Sequence, residues 1–363
     1  GTDSVAARDF ESEARRATLS TRQGSRMWRM GVEDSAASSG LSAGLWRLPG
    51  GIYLGVCGEG VGTKNALIEE LVEALNGDPW PQGDPYLYYY GIGQDAVAMI
   101  VNDLITVGVL PIGILQILAL FGGEWHANDA RKAAFLDGWT NACVKSGVHW
   151  SGGETAELNT VLPPHMIADG VCWGLIPTGL EPTLPSSIQP GDEIVFVESS
   201  GIHSNGLTGA RKMCAELGYD YKLPGGRSLV DALLTPTRIY VDGVEGCLTD
   251  SVLVKHSIHV TGGGLSRFLR NSPPVHYVID RVAKPQPEYT VIQNYKGCSL
   301  KEMYEAFNMG QGFALVVGAG HGRGAVDQFT QVSQKAWVAG YVEAADAPRV
   351  TLVEEGIVWD KAA

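Results

Sequence analysis

The sequence predicts an α+β fold in two domains, and three observations lead to that prediction. The chain has 363 residues, which is more than one hydrophobic core usually supports. Strand-like and helix-like segments are mixed in both halves, without the strict alternation of a dinucleotide-binding domain. Residues 177–191 hold four prolines and few periodic apolar positions, which is typical of a linker. We therefore predict an arm at 1–35, an N-terminal domain at 36–180 and a C-terminal domain at 190–363.

The composition excludes some classes of binding partner. The formal net charge is −13, so the chain lacks the excess of Lys and Arg that a broad nucleic-acid interface needs. Any phosphate has to be held locally, by backbone N–H groups, one or two cations or a metal. No apolar run is long enough to span a bilayer, and the six cysteines show neither a Cys-x-x-Cys pair nor disulfide spacing. We expect a cytoplasmic protein with reduced thiols that binds neither nucleic acid nor membranes.

A glycine-rich turn, Gly-Glu-Gly-Val-Gly-Thr-Lys at 58–64, follows a strand predicted at 52–57 and opens a helix predicted at 63–75. Glycines let the backbone approach a ligand closely, and the first N–H groups of a helix attract anions. A phosphate with its metal can therefore bind here beside Lys64. The spacing is not that of a Walker loop, so a plain strand-to-helix turn explains the motif equally well.

Three polar residues, Asp95, Asn102 and Asp103, share one side of a helix predicted at 95–107. Asp95 and Asn102 are two turns apart and have nearly the same azimuth, with Asp103 beside them. Oxygen ligands on one stripe suit Mg²⁺, which binds a few carboxylates together with phosphate oxygens and water. The alternative is an Asp95 that caps the helix and an Asn-Asp pair that faces solvent.

A second acidic motif, Gly-Gly-Glu-Thr-Ala-Glu at 152–157, ends a strand predicted at 150–154. Strand ends in mixed folds often carry metal and substrate ligands, so Glu154 and Glu157 are candidates for the same site. A surface turn with two solvated glutamates is the competing interpretation.

Two loops in the second half have the composition of a phosphate or ribose cradle. Ser-Ser-Gly-Ile-His-Ser-Asn-Gly at 199–206 and His-Val-Thr-Gly-Gly-Gly at 259–264 each precede a predicted helix. Both combine backbone donors, hydroxyl groups and a histidine. A lone histidine in such a loop is more often a structural hydrogen bonder than a catalyst, and the spacing supports no Ser-His-Asp or Cys-His set.

Taken together and in this order, the motifs resemble aminoimidazole ribonucleotide synthetase, the phosphoribosylformylglycinamidine cyclo-ligase family. The matching segments are 60–64, 95–104, 152–157, 190–192, 199–206, 234–241, 259–264, 302–304 and 307–310. The resemblance implies a two-domain α+β subunit whose N-terminal sheet forms a barrel with that of a second subunit, with ATP bound near the interface. It also implies ATP-dependent closure of formylglycinamidine ribonucleotide to aminoimidazole ribonucleotide, with release of ADP and phosphate.

The resemblance assigns roles to particular residues. The implied catalytic residues are Lys64, Asp95 and His203. The implied ATP contacts are Gly60, Gly62, Thr63, Lys64, Asp95, Gly153 and Glu154. The implied Mg²⁺ ligands are Glu59, Asp95, Asp103 and Glu154. The implied cradle for a small phosphorylated substrate consists of Ser200, His203, Ser204, Asn205, Thr261, Gly262 and Gly263.

Two segments depart from the family pattern. Glu59 stands where the family has Asp, and Gly-Leu-Ser-Ala-Gly at 40–44 replaces a glycine-rich segment that usually contains Phe. A metal ligand that is one methylene longer shifts by about an ångström, and placement at that scale matters for catalysis. A divergent relative with another substrate, or an ATP-binding protein without turnover, therefore stays open as an alternative.

The apolar strand predicted at 110–118 bears on the oligomeric state. Such a strand is unsuited to a free sheet edge, where it invites pairing with another chain. We therefore expect a homodimer built through the N-terminal half.

Overall fold

The structure is a computed structural model. It describes residues 13–14, 17–18, 20–21, 25–35, 38–74, 85–120, 125, 127–158 and 166–361. Part of the predicted arm lies outside these residues. The end of the arm has regular structure, since Arg26–Met30 forms a short 3-10 helix and Glu33–Asp34 pairs as a strand with the segment Gly44–Arg47.

The first sheet is formed by six strands of the N-terminal half. The strands are β1 (Glu33–Asp34), β2 (Gly44–Arg47), β3 (Tyr53–Gly60), β4 (Leu110–Leu120), β5 (His149–Glu157) and β6 (Ile167–Leu175). Their order is β1-β2-β3-β6-β4-β5, with β4 and β5 parallel and the other neighbours antiparallel. β1 and β5 are separate edges, so the described part of one chain forms an open sheet and not a closed barrel.

Two helices cover one face of this sheet, and a third packs beside them. The helices are α1 (Lys64–Ala74), α2 (Pro85–Leu104) and α3 (Asp129–Lys145). The N-cap of α3 is Asn128, whose side chain accepts a hydrogen bond from the Arg131 N–H. α2 and α3 approach closely, because a Cβ atom at Gly138 would lie 1.9 Å from the Tyr90 carbonyl oxygen.

The opposite face of the first sheet carries exposed apolar side chains. On β4 the exposed fractions are 46 % for Ile112, 38 % for Leu115 and 44 % for Ile117. Ile167 on the neighbouring β6 is 38 % exposed. Ile114 and other alternate residues of β4 are buried under the helices, so this strand is apolar on both sides.

The second sheet belongs to the C-terminal half and has seven strands. They are β7 (Glu193–Glu198), β8 (Val254–His259), β9 (Val275–Ile279), β10 (Gln311–Val317), β11 (Ala336–Ala344), β12 (Arg349–Leu352) and β13 (Ile357–Asp360), in the order β13-β12-β9-β11-β7-β10-β8. The helices of this half are α4 (Leu207–Leu217), α5 (Leu229–Leu233), α6 (Val241–Thr249), α7 (Pro287–Lys296), α8 (Leu300–Ala306) and α9 (Gly322–Gln331). Two sheets with their own helices give the two-domain α+β fold that the sequence predicts.

Two local predictions need correction. α2 begins at Pro85 and not at Asp95, so Asp95 lies in the interior of the helix and does not cap it. β4 lies between β6 and β5, so it is not a sheet edge. Its unpaired apolar surface is the face of the sheet. Within the described ranges, every helix is too short or too polar to cross a lipid bilayer.

Candidate active site

A buried ion pair joins the end of the glycine-rich motif to the first residue of the polar stripe on α2. Lys64 is the first residue of α1, and its Nζ lies 2.7 Å from Oδ2 of Asp95 on α2. Both side chains are fully buried. The Lys64 Nζ also donates to the carbonyl oxygen of Thr235 at 2.6 Å. Burial lowers the pKa of Lys64 from its usual value, although Asp95 acts in the opposite direction.

The polar stripe of α2 docks on the loop between α5 and α6. Oδ1 of Asp95 accepts hydrogen bonds from the backbone N–H and the hydroxyl of Thr237, at 2.7 and 2.5 Å. Asn102 donates to the carbonyl oxygen of Arg238 at 2.8 Å and accepts from the N–H of Tyr240 at 3.0 Å. Asp95 and Asn102 are therefore occupied with protein groups. In this structure they hold the two halves of the chain together and do not face solvent.

Asp103, one residue along the same stripe, forms a second link between the halves. Its Oδ1 accepts from Nδ1 of His259 on β8 at 2.7 Å, and the His259 side chain is fully buried. Burial raises the pKa of Asp103, but the hydrogen bond and charge of His259, together with Arg267 and Ser42, outweigh it. Its pKa therefore lies below the usual value, and Asp103 is an ionised carboxylate at neutral pH.

Two further carboxylates follow: Glu59 at the end of β3, which interacts with Asp103, and Asp169 on β6, which interacts with Glu59. Burial, and next the charge of Asp103, raise the pKa of Glu59. Burial also raises the pKa of Asp169. Asp169 pairs with Gly60, where a Cβ atom would lie 1.6 Å from its Oδ1. Gly60 thus leaves the space that the Asp169 carboxylate occupies.

Glu154 lies farther from these carboxylates. Asp169 on β6 pairs with Ile117 on β4, and Ile117 pairs in turn with Glu154 on β5. Two strand spacings place the backbones of Asp169 and Glu154 roughly 10 Å apart on the same face. Gly153 packs against β4, where a Cβ atom would lie 2.1 Å from the Gln116 carbonyl oxygen.

The four predicted Mg²⁺ ligands are therefore not brought together in one chain. Asp95 belongs to the buried pair with Lys64, and Glu154 lies two strands from Asp169. Among the described residues, no three His, Cys, Asp or Glu side chains are arranged to hold a metal ion by themselves. Glu59 and Asp103 are the two predicted ligands whose charges influence each other.

The glycine-rich turn presents an open surface. Gly62 has a φ of 64°, and apart from its chain neighbours no described residue has an atom within 4 Å of the Cβ position there. Gly62 and Thr63 are exposed. The hydroxyl of Thr63 lies 3.2 Å from that of Thr208 on α4, so this turn adjoins the C-terminal half.

His203 is fully buried and lies in a left-handed conformation, with a φ of 58°. Its Nε2 accepts from the N–H of Ser200 at 3.3 Å, and its Nδ1 has no hydrogen-bond partner among the described residues. Burial lowers the pKa of His203 far below its usual value, and the charges of His259 and Lys64 act in the same direction. The imidazole is therefore neutral at neutral pH.

The two predicted cradle loops meet. The N–H of Gly262 donates to Oδ1 of Asn205 at 3.1 Å. Ser204 donates to Oδ1 of Asp95 at 3.3 Å, and the Ser200 hydroxyl donates to the Pro236 carbonyl oxygen at 2.6 Å. Thr261 is buried, whereas Gly262 and Gly263 are exposed. The exposed part of the cradle is thus the triple-glycine turn, while the serines are bonded within the protein.

Both halves of the chain match models of one protein family. Residues 43–176 match the model described as AIR synthase related protein, N-terminal domain. Residues 189–353 match the model described as AIR synthase related protein, C-terminal domain. The chain belongs to the AIR synthase related family.

Curated relatives match this AIR synthase related chain over most of their own length. It is 33 % identical over 311 residues to the phosphoribosylformylglycinamidine cyclo-ligase of Synechococcus sp. (strain CC9902), covering 82 % of this chain and 84 % of the relative. It is 34 % identical over 302 residues to the enzyme of the same name from Carboxydothermus hydrogenoformans, covering 79 % and 80 %. A crystal structure of hydrogenase maturation protein HypE in complex with ATP has the same fold, with a TM-score of 0.59, 16 % identity and coverage of 85 % and 84 %.

The structure adds two residues to the candidate site of this AIR synthase related protein. Asp169 follows no motif, and only the register of β6 against Gly60 places it at the glycine-rich turn. Arg267 lies three residues after the triple-glycine run, and its Nε donates to the Gly262 carbonyl oxygen at 2.7 Å. A basic residue so close to a predicted phosphate loop is a signal that sequence reasoning could have used.

Proposed function

We propose that this chain is a phosphoribosylformylglycinamidine cyclo-ligase, which converts formylglycinamidine ribonucleotide and ATP to aminoimidazole ribonucleotide, ADP and phosphate. The observation that carries the proposal is the 33 % identity to a curated cyclo-ligase over 82 % of this chain and 84 % of that enzyme. Both halves of the chain take part in this similarity. The chain therefore contains both of the domains that a reaction with residues from each domain requires.

The proposed reaction needs positioning more than covalent chemistry by the protein. ATP phosphorylates the formyl amide oxygen and so turns it into a leaving group. The amidine nitrogen then attacks the activated carbon and closes the ring. Precise placement of the two reactants and fixed charges around the phosphoryl group supply such catalysis.

We assign the phosphates of ATP to the open turn that contains Gly60, Gly62 and Thr63. Gly62 and Thr63 of this turn are exposed, and the turn lies at the start of α1, where N–H groups point outward. Lys64 and Asp95 hold α1 and α2 in place from beneath. A direct contact of Lys64 with phosphate requires its buried pair with Asp95 to open.

Glu59 and Asp103 fit a magnesium ion by their donor chemistry. Mg²⁺ usually takes one or two carboxylates and completes its shell with water and phosphate oxygens, so a site of three protein ligands is not required. Glu59 and Asp103 would hold the ion, with Asp169 beside them, and the ion would supply charge neutralisation at the phosphates of ATP. Glu154 stays a predicted contact to the nucleotide.

The ribonucleotide substrate belongs, in this proposal, at the meeting point of the loops 199–206 and 261–264. The exposed Gly263 offers its backbone N–H group to a phosphorylated ligand. His203 lies beneath as a neutral imidazole with an unpartnered Nδ1. A neutral histidine can exchange a proton with the amidine during ring closure.

We further propose a homodimer formed through the open face of the first sheet. The support comes from Ile112, Leu115 and Ile117 on β4 and Ile167 on β6, which are exposed apolar side chains on two adjacent strands. Burying this face against the same face of a second chain removes it from water.

Glu59 provides the test of the proposed function. We expect steady-state ADP release that depends on formylglycinamidine ribonucleotide, and we expect Glu59→Asp to keep or raise this rate. Glu59→Gln should lower it about tenfold or more, because a negative charge beside the metal is lost. The matched control is Asp327→Asn on α9, an exposed carboxylate that pairs with the exposed Arg323. If neither the parent nor Glu59→Asp releases ADP in response to the ribonucleotide, the cyclo-ligase proposal is wrong.

The alternative is an ATP-binding protein without cyclo-ligase turnover. The specific observation in its favour is the full burial of Lys64, which keeps a predicted phosphate ligand away from solvent. In that case calorimetry detects ATP binding while the ribonucleotide has no effect on ADP release.

A further inference from the structure

A pocket with two arginines lies next to the triple-glycine turn. It is lined by parts of β8, of the 3-10 turn Gly264–Leu269 and of residues 41–42, and its polar lining includes Ser42, Thr106, Ser257, His259, Arg267 and Arg270. None of the described residues that line it is an aspartate or a glutamate. Asp103, which accepts a hydrogen bond from the lining residue His259, offsets part of the positive charge of the two arginines.

Two hydrogen bonds fix the guanidinium of Arg267, and some of its N–H groups have no partner among the described residues. Its Nε donates to the Gly262 carbonyl oxygen at 2.7 Å, and its Nη1 donates to the His259 carbonyl oxygen at 3.3 Å. These two bonds set the plane of the group, and Nη2 makes no hydrogen bond to the residues described. A guanidinium held in this way can present its remaining N–H groups to an oxyanion with little loss of entropy.

A second observation points to a ligand in the same pocket. Ser257 is 1 % exposed, and its hydroxyl has no hydrogen-bond partner within the described part of the chain. Buried hydroxyl groups are normally bonded, because an unsatisfied buried donor is costly. An oxygen-rich anion that binds the arginines would also satisfy this hydroxyl.

We propose that this pocket is a phosphate subsite with Arg267 as its central ligand, supported by Arg270 and the Ser257 hydroxyl. A phosphate dianion near Glu59 and Asp103 needs nearby positive charge, and Arg267 is close enough to lower the pKa of both carboxylates. The inference rests on the proposed function for the source of the ligand. That reaction supplies two candidates, the 5′-phosphate of the ribonucleotide and the phosphate released from ATP.

The test is calorimetric titration of the full chain with inorganic phosphate and, separately, with ribose 5-phosphate. We expect both ligands to bind the parent, and Arg267→Met to weaken binding about tenfold or more. Arg267→Lys should restore part of the affinity, since it keeps the charge but not the fork. Ser257→Ala should weaken binding about threefold or more. The matched control is Arg323→Met on α9, whose side chain is 85 % exposed and which should bind like the parent.

The two ligands distinguish the sources. If Arg267→Met loses affinity only for ribose 5-phosphate, the pocket is a substrate subsite. If it loses affinity equally for both ligands, the pocket takes phosphate from either source. The proposal is overturned if the parent binds neither ligand, or if Arg267→Met folds like the parent and binds both as tightly. Because binding is measured without turnover, failure of the subsite can be separated from failure of the cyclo-ligase proposal.

Discussion

Lys64 and Asp95, both predicted as parts of the ATP site, form a buried ion pair in the structure. Their charges lie 2.7 Å apart with both side chains fully buried, so neither is available to solvent in this structure. A buried pair contributes little by itself, but the loss of one partner leaves an uncompensated charge inside the protein. We therefore treat the pair first as a determinant of how α1 and α2 are held, and then as a part of the site.

Asp95→Asn is expected to reduce the free energy of unfolding by about 3 to 5 kcal/mol, because Lys64 then stays buried without a negative partner. Urea unfolding measures this change, and calorimetry on the folded fraction should also show weaker ATP binding in the presence of Mg²⁺. The control is Asp327→Asn, which removes an exposed ion pair with Arg323 and should cost less than about 0.5 kcal/mol. An Asp95→Asn protein as stable as the parent would contradict the structural role of the pair.

Among the helices and strands, the sequence predicts those whose structure depends on their own residue pattern and not on distant contacts. The apolar run predicted as a strand at 110–118 is β4 (Leu110–Leu120), and Asn128 caps α3 by accepting a hydrogen bond from the N–H of Arg131. Both rest on local rules, namely a run of apolar residues and a side-chain oxygen before a helix.

The start of α2 could not be predicted, because contacts between distant residues decide it. Its first turns contain several tyrosines and the glycines Gly91 and Gly93, which have weak helix propensity. A Cβ atom at Gly93 would lie 2.3 Å from the Phe135 carbonyl oxygen of α3. Close packing of α2 and α3 thus favours glycine at a position where the sequence pattern indicates a break in the helix.

In the candidate site, too, contacts between residues distant in the sequence could not be predicted. The order of the motifs and the family they indicate could be predicted, and the matches at 43–176 and 189–353 confirm the family. The link between Asp103 and His259 joins residues 156 positions apart, and the Asp169–Gly60 pairing depends on strand register. β8 also escaped prediction, because its sequence Val-Lys-His-Ser-Ile-His is polar although most of it is buried.

At the scale of the whole molecule, the open face of the first sheet predicts a homodimer. Light scattering of the parent at micromolar concentration should give the mass of two chains. Ile117→Asp places a charge in the centre of the proposed interface and should give a monomer, because an unpaired charge is costly to bury there. Val144→Asp is the control, since Val144 on α3 is 74 % exposed on the outside of the helix layer. A parent that stays a monomer would rule out assembly through this face.

The central claim is that ATP activates the formyl oxygen of the ribonucleotide, and an isotope experiment tests it most directly. The parent is incubated with ATP, Mg²⁺ and formylglycinamidine ribonucleotide that carries heavy oxygen in its formyl group, and mass spectrometry follows the label. The account predicts a product lighter than the substrate by one water, with the heavy oxygen in the released phosphate and one ADP for each ring closed. Release of unlabelled phosphate, or ADP formed without the ring-closed product, would contradict it.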